Sequence, residues 1–448
     1  MPDRTVNQHD EARRLATPEE LEFVRDMIGF TPGRKTITQP DWTVHVDVVA
    51  GDDDNQGVYS DQPLANLQAA IAKMPFDRSV RTVIQLGAGE FDGATIGEIT
   101  GYKTPGILQA VEIKGTVQEY TPASGVSSGT ASAGGTDANG RLTLTKPSGA
   151  ANWTANDLVG KRIRITNGNG PAEAFIVANS TTLITTGFVH HPDGPYDNTS
   201  EFVIEDWATR IKNTHAGSTT KLFELYNVQG FVQFTDLDIF PDSSIANAVG
   251  IDAHQANILK FEGCRFGGDA TGKHATPVVL NDVRLAILNL CLFDSVGGVS
   301  GSINGVLDKS YCTFFQPPAN VNGAEVTAAF GASRIDNCYF AGDAQALRGV
   351  VIEDSRLAIT NTQIEDFAND GIKATRSMIT LATVSGDTNA DYALALHPNA
   401  NAHVGASVDI AGTTADFWVN AYIAAWTSIP NVGDTVTDLY TLAGIVRV

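Results

Sequence analysis

The sequence predicts an all-β solenoid, and three observations carry that prediction. All four cysteines stand in one phrase, Cys-x-Phe, at Cys264 to Phe266, Cys291 to Phe293, Cys312 to Phe314 and Cys338 to Phe340, with the Phe positions 27, 21 and 26 residues apart. With Cys relaxed to another small or apolar residue, the phrase continues upstream as Leu237-Asp238-Ile239 and downstream as Thr362-Gln363-Ile364 and Ala382-Thr383-Val384. The second observation is a pair of companions to each phrase. A large apolar residue stands three places ahead of the Cys position, at Phe234, Phe261, Leu288, Ile335, Ile359 and Ile379, with Lys309 the exception in the shortest repeat. A further β-prone run precedes it, at residues 250–253, 277–280, 305–307, 326–330, 349–352, 371–374 and 393–396. The third is composition: 43 glycines, few lysines and only 8% aromatics fit a chain of many short strands and turns.

Short β-prone runs at this period, with no Leu-rich or helical consensus, stack as coils, each placing the same side chain above its predecessor. At least seven coils fall between residues 222 and 404; at about 4.8 Å per coil they span about 30 Å. The four cysteines then form a buried ladder of small apolar groups. No Cys-x-x-Cys pair and no His at metal spacing accompanies them.

Taken in order, residues 1–41 read as an attachment segment. Thr17-Pro18-Glu19-Glu20 is a capping box with Pro at the first helical position, and Leu21, Val24 and Ile28 follow at helical spacing. One amphipathic helix of this length needs a partner surface to stay folded. Residues 42–122 read as the entry and cap of the solenoid: a strand Trp42 to Val49, the turn Gly51-Asp52-Asp53-Asp54-Asn55-Gln56-Gly57, a Pro-led helix Pro63-Leu64-Ala65-Asn66-Leu67-Gln68-Ala69-Ala70-Ile71, and a strand Val80 to Leu86 ending in Gly87-Ala88-Gly89-Glu90-Phe91. This segment resembles the start of pectate-lyase-like right-handed parallel β-helix proteins. The helix, apolar at Leu64, Leu67, Ile71 and Met74, would cover the open end of the first coil and protect its unpaired strand edges.

Residues 123–208 read as an insertion that projects from the stack. A Gly/Ser/Thr/Ala stretch, 123–140, reads as a surface loop. After it come Trp153, Leu158-Val159-Gly160-Lys161, Ile176 with Asn179, Thr181 and Leu183, and Pro192-Asp193. These landmarks resemble a small all-β module that recurs in phage virion proteins. The coils occupy 209–404, and 405–448, with Phe417-Trp418-Val419 and Trp426, reads as a C-terminal cap or oligomerisation segment.

The net charge of −21 argues against nucleic acid, whose affinity comes largely from Lys and Arg on phosphates, and disfavours an anionic membrane surface. No apolar run has the length of a membrane span, and the start, MPDRTVNQHDEARR, lacks the apolar core of a secretory signal. The expected location is a virion assembled in a host cytoplasm.

Three motif matches fail on context: the near-phosphate loop 267–274, the elbow-like Gly125-Val126-Ser127-Ser128-Gly129, and the loop pair His190-His191. Calcium at Asp52 and Asp54 is a candidate, but Gln56 and Pro63 depart from a calcium loop and self-capping turns compete with it. The serious catalytic candidate is a pair of carboxylates on the outer wall. Neighbouring coils set equivalent groups about 5 Å apart and alternate coils about 9.5 Å apart, near the separations of retaining and inverting glycosidases. The candidates are Asp236, Asp238, Asp252 (with His254), Glu365 and Asp366, followed by Asp282, Asp308, Glu353, Asp354 and Asp370; Asp282 with Arg284 or Asp354 with Arg356 would suit a lyase.

The two resemblances together imply a homotrimeric phage spike or fibre, on tail or head, held to other virion proteins through residues 1–41 and facing host surface glycans. Three functions stay open at this point: binding a host polysaccharide without cutting it, depolymerising it, or serving architecture alone.

Overall fold

A computed structural model describes residues 42–74, 81–97, 110–187, 193–212, 221–240, 249–267, 276–294, 299–300, 305–315, 322–329, 333–344, 346–404, 408–412, 415–419, 422–426 and 440–441. The attachment segment 1–41, the near-phosphate loop beyond Gly267 and the pair His190-His191 lie outside these residues.

The described coils form a parallel β-helix. Twenty-eight strands join in one parallel sheet system, and their pairings sort into three walls. Wall I starts with Trp42–Val46, Thr82–Leu86 and Ala110–Lys114 and continues through 231–235, 258–262, 285–289 and Val306–Ser310 to Tyr422–Trp426. Wall II stacks Gly89–Phe91, Thr209–Ile211, Asp238–Ile239, Arg265–Gly267, Leu292–Asp294, Thr313–Phe315, Tyr339–Ala341 and 363–365. Wall III begins at Ala94–Gly97 and passes through 223–226, 251–254, 278–281, Asn322–Thr327, Arg348–Glu353 and Ile372–Thr375 to Tyr392–Leu396.

The repeat phrase is the corner between walls I and II. The residue just before each Cys position takes a left-handed conformation: Asp236, Gly263, Leu290, Tyr311, Asn337, Asn361 and Thr383 all have φ between 48° and 62°. The turn leaves a carbonyl of the preceding coil facing inward, and the next thiol meets it: Cys264 Sγ lies 3.4 Å from Phe234 O, Cys291 3.6 Å from Phe261 O, Cys312 3.5 Å from Leu288 O and Cys338 3.6 Å from Lys309 O. A small side chain with a weak donor suits that position better than a fully apolar one. Behind it Phe234 stacks on Phe261 at 5.2 Å and Phe266 on Phe293 at 4.9 Å. The last expected repeat is two residues out of register: Thr362 pairs with Val384 and Ile359 with Leu381, so the equivalents are Val384 and Leu381 and not Ala382 and Ile379. A two-residue slip keeps the same face inward, which is why the apolar pattern concealed it.

Burial pushes the Cys264 thiol up to about 12 and raises Cys291, Cys312 and Cys338 as well. All four are free and buried. The native protein is therefore expected to leave all four unlabelled by a thiol reagent over hours and to release four equivalents on denaturation. Labelling in the native state would disprove the internal ladder.

The cap forms, but its helix is shorter than expected, because Asn66 and not Pro63 starts it. The helix Leu67–Ala72 starts at Asn66, whose side chain accepts from the Ala69 amide at 2.7 Å. Leu64, Leu67 and Ala70 are buried against Val44 and Val46. Gln68 lends its amide to the edge of wall III: the Thr95 N–H donates to Gln68 Oε1 at 3.0 Å, so the first strand of that wall has a side-chain partner where a coil would otherwise be.

Two expectations about the remaining segments are corrected. The insertion starts at Val117, because Val117–Glu119 pairs with Glu205–Trp207 inside an eight-stranded antiparallel module. Within the expected surface loop, Ser128–Thr130 and Ala133–Thr136 are strands. Small residues are required there: a Cβ on Gly134 would fall 2.1 Å from Tyr196 O. At the other end, Asp409–Gly412, Ala415–Val419, Tyr422–Trp426 and Tyr440–Thr441 pair in parallel with the coils before them. The described part of 405–448 continues the stack instead of closing it.

Candidate functional site

The module leaves the coil between Lys114 and Thr209 on a single stem, where the Thr116 N–H donates to Thr209 Oγ1 at 2.8 Å and Thr116 O accepts from Ala208 and Thr209. It does not project freely. Leu290 and Tyr311 at the corner, with Leu292 and Ala341 on wall II, join the module's own core around Trp153, Phe175, Phe202 and Trp207. Trp207 Nε1 donates to Gly263 O at 2.8 Å, Arg162 reaches Asp236 at 2.8 Å, and Arg141 donates to the Tyr339 hydroxyl at 3.1 Å. The module thus roofs wall II.

That roof changes the standing of four candidate carboxylates. Asp236 is the left-handed corner residue and is held by Arg162; burial raises its pKa, with the Arg162 attraction opposing. Asp238 is 2% exposed, bound by Arg210 at 2.7 Å, and raised by burial against the pull of Arg265 and Arg210. Glu365 is 6% exposed, accepts from the Tyr339 hydroxyl at 2.8 Å and lies 3.8 Å from Arg141; burial raises it too. Asp366, with φ 60°, turns the chain out of wall II. Asp236 and Asp238 do not form a solvent-facing pair, and neither do Glu365 and Asp366.

Asp252 is as buried as Glu365, at 6% exposed, but it lies on wall III, where its neighbours Glu224, His254 and Tyr226 are open to solvent. It stacks directly on Glu224 of the preceding coil, and Lys221 Nζ bridges the two, at 2.8 Å from Glu224 and 2.6 Å from Asp252. The other Asp252 oxygen meets His254 Nε2 at 2.9 Å. Tyr226, the neighbour of His254 in register, is 45% exposed and lies across Gly97, where an added Cβ would come within 2.2 Å of the ring. An aromatic plate beside two carboxylates, an ammonium and an imidazole is a surface for a hydroxyl-rich chain, since sugar faces stack on rings and hydroxyls bridge charged groups. Sequence reasoning named Asp252 and His254 but missed Glu224, Lys221 and Tyr226. The signal was present as a one-coil offset of 28 residues, from Glu224 to Asp252 and from Tyr226 to His254.

Three of the remaining candidates are committed to ion pairs between coils: Asp308 with Arg334 at 2.9 Å, Asp354 with Arg376 at 2.7 Å, and Asp370 with Arg348 at 2.8 Å. Asp354 thus pairs with Arg376 and not with Arg356, and Asp282 turns the wall III to wall I corner at φ 57°. In the acidic turn, Asp52 accepts from the Asp54 amide and Asp53 from the Ala65 and Asn66 amides, while Lys73 Nζ donates to Asp53 O at 2.6 Å. These residues cap their own turn, and a lysine takes its carbonyls. Among the described residues, no three His, Cys, Asp or Glu side chains are grouped to hold a metal ion.

No protein-family model matches the chain, and no curated protein matches it. Among solved structures, a lacto-N-biosidase from Eubacterium ramulus aligns over 86% of this chain and 68% of its own, at 10% identity and a TM-score of 0.38. The tailspike protein of Pseudomonas phage LKA1 aligns over 78% and 66%, at 11% identity and a TM-score of 0.25. A tailspike of Acinetobacter baumannii bacteriophage AP22, solved with a capsular saccharide, aligns over 80% and 68%, at 8% identity and a TM-score of 0.22.

Proposed function

We propose that the chain is a spike or fibre subunit of a phage or phage-like particle that binds a host surface polysaccharide along wall III without cutting it. The observation that supports this reading is the Tyr226, Glu224, Asp252 and His254 cluster, where outer-wall candidates meet an exposed aromatic ring. Binding is favoured over cleavage because both Asp252 oxygens are engaged, one by Lys221 and one by His254, leaving neither aimed at a glycosidic oxygen. The virion assignment rests on the two sequence resemblances.

Purified protein incubated with capsule and lipopolysaccharide from candidate hosts is expected to retain one of them with no rise in reducing ends or unsaturated products. Tyr226→Ala is expected to weaken retention about 10-fold, the scale of one lost stacking contact. Product release that persists in Tyr226→Ala but vanishes in Glu224→Gln would convert this face into a hydrolase site. Retention untouched by Tyr226→Ala would place the saccharide elsewhere.

A further inference from the structure

Four of the nine buried side-chain atoms that lack a hydrogen-bond partner among the described residues fall along the seam between the module and wall II. Asp238 Oδ1, Arg265 Nε, Thr313 Oγ1 and Gln363 Oε1 are buried along it with no hydrogen-bond partner in the protein. Asp238, Thr313 and Gln363 are at most 3% exposed. Around them runs a ladder of alternating charge across successive coils, Glu90, Arg210, Asp238, Arg265 and Asp294. Most buried polar groups are paired, because each orphan forfeits its hydration. A wall with four orphans has the composition of a surface that meets solvent or ligand part of the time.

The connection supplies the means. The module hangs on one stem at Thr116 and Ala208, at the corner between walls I and II. Its contacts at that same corner include apolar Leu290 and Tyr311 and the Trp207 hydrogen bond to Gly263. Farther out on wall II it is held at Tyr339 and Glu365 by Arg141. Rotation about the corner would uncover the wall without breaking a coil.

We propose that the module is a hinged cover, and that the wall beneath it, with Asp238, Arg265, Thr313, Tyr339, Gln363 and Glu365, is a second binding surface for a hydroxyl-rich ligand. The orphan atoms stand in one column of wall II, Asp238, Arg265, Thr313 and Gln363, with Leu292 and Tyr339 between them in register, and offer a carboxylate oxygen, a guanidinium N–H, a hydroxyl and an amide oxygen, which a chain of hydroxyls can both donate to and accept from. The ligand class rests on the saccharide reading above, whereas the cover does not.

The test uses the buried thiol ladder as its control. In Thr313→Cys a maleimide is expected to label the new thiol while Cys312, its neighbour facing the core, stays unlabelled; peptide mapping separates them. Adding Arg141→Ala is expected to speed labelling at least tenfold. Equal labelling of both thiols would mean that the wall is reached only by unfolding, and no labelling would mean a fixed roof; either overturns the cover. If Thr313→Cys does not fold, Leu292→Cys read against Cys291 asks the same question. A Cβ on Gly187 would lie 2.6 Å from Thr313 Oγ1, so Gly187→Cys with Thr313→Cys locks the cover when oxidised. Host capsule or lipopolysaccharide retained at least tenfold less by the locked protein, and recovered on reduction, supports the second surface. Equal retention overturns it and leaves wall III standing. No retention by wild type or locked protein overturns the saccharide class for both walls while the labelling result still decides the cover.

Discussion

Arg162→Ala is expected to destabilise the docked module by about 3–5 kcal/mol, the cost of removing one partner from a buried ionic cluster. Arg162 is 4% exposed and serves three carboxylates: Glu205 at 2.8 Å, Asp236 at 2.8 Å and Glu173 at 3.5 Å. Burial pulls against its charge, but the attraction of Glu173, Asp236 and Glu205 outweighs that and raises its pKa. Arg164, bonded to Glu205 at 2.7 Å, and Lys114, which attracts Asp236, would remain to offset those carboxylates. The loss should appear as proteolysis within residues 117–208 while the coils stay resistant. A variant with both units equally resistant would show that the apolar core alone seats the module.

The same cluster fixes a pH dependence. Glu173 and Asp236 both have folded pKa values raised by burial above their unfolded values, which lie near 4. The folded state therefore binds protons more readily than the unfolded one, so their contribution is fully present below pH 4 and is lost as pH rises through the folded values. Docking should tighten as pH falls through the folded values toward about 4, and the slope should flatten in Glu173→Gln with Asp236→Asn. In Arg162→Ala it should steepen, because the acids then lack their counter-charge.

The coil repeat was legible because stacking forces one side chain to recur at one place, and Phe266, Phe293, Phe314 and Phe340 do so in the predicted phrase. The cap helix was legible from its apolar spacing at Leu67 and Ile71, but its start was not, because the Asn66 side chain and not Pro63 sets it. What stayed hidden was which wall faces water. Asp238 and Asp252 read alike in sequence, each an acid among β-prone neighbours, and both are buried, at 2% and 6% exposed; what separates them is an insertion some ninety residues long that packs over the wall of the first. A strand's two-residue period tells inside from outside but carries no information about what lies over the outside. Leu290 and Tyr311 did hold a clue: bulky residues at left-handed corners, where Asn, Asp or Gly cost less, are tolerated because the module packs on them.

Lys309→Met is expected to stabilise the coils, and the reason lies in the shortest repeat. Lys309 takes the place of Phe234, Phe261, Leu288, Ile335 and Ile359 in the inward ladder of wall I and is fully buried. Its Nζ has no hydrogen-bond partner in the protein and lies 4.7 Å from the Phe293 ring centre and 4.5 Å from that of Phe340. Ring contacts return about 0.5–2 kcal/mol. Burying an amino group without a hydrogen bond costs about 2–7 kcal/mol, so the balance runs from about 0 to about 6.5 kcal/mol in favour of an unbranched apolar chain of similar volume, with a middle value of about 3 kcal/mol. Met keeps the stem and replaces only the polar end. A stacked solenoid tends to unfold slowly and without return, so the readout is the unfolding rate in denaturant, expected to fall about fivefold or more. Faster unfolding would mean that the amino group fixes something an apolar chain does not. The clearest candidate is register: a coil only 21 residues after its predecessor has the fewest residues with which to hold its place, and a polar group that fits one pair of rings and no other discriminates against a slipped stack.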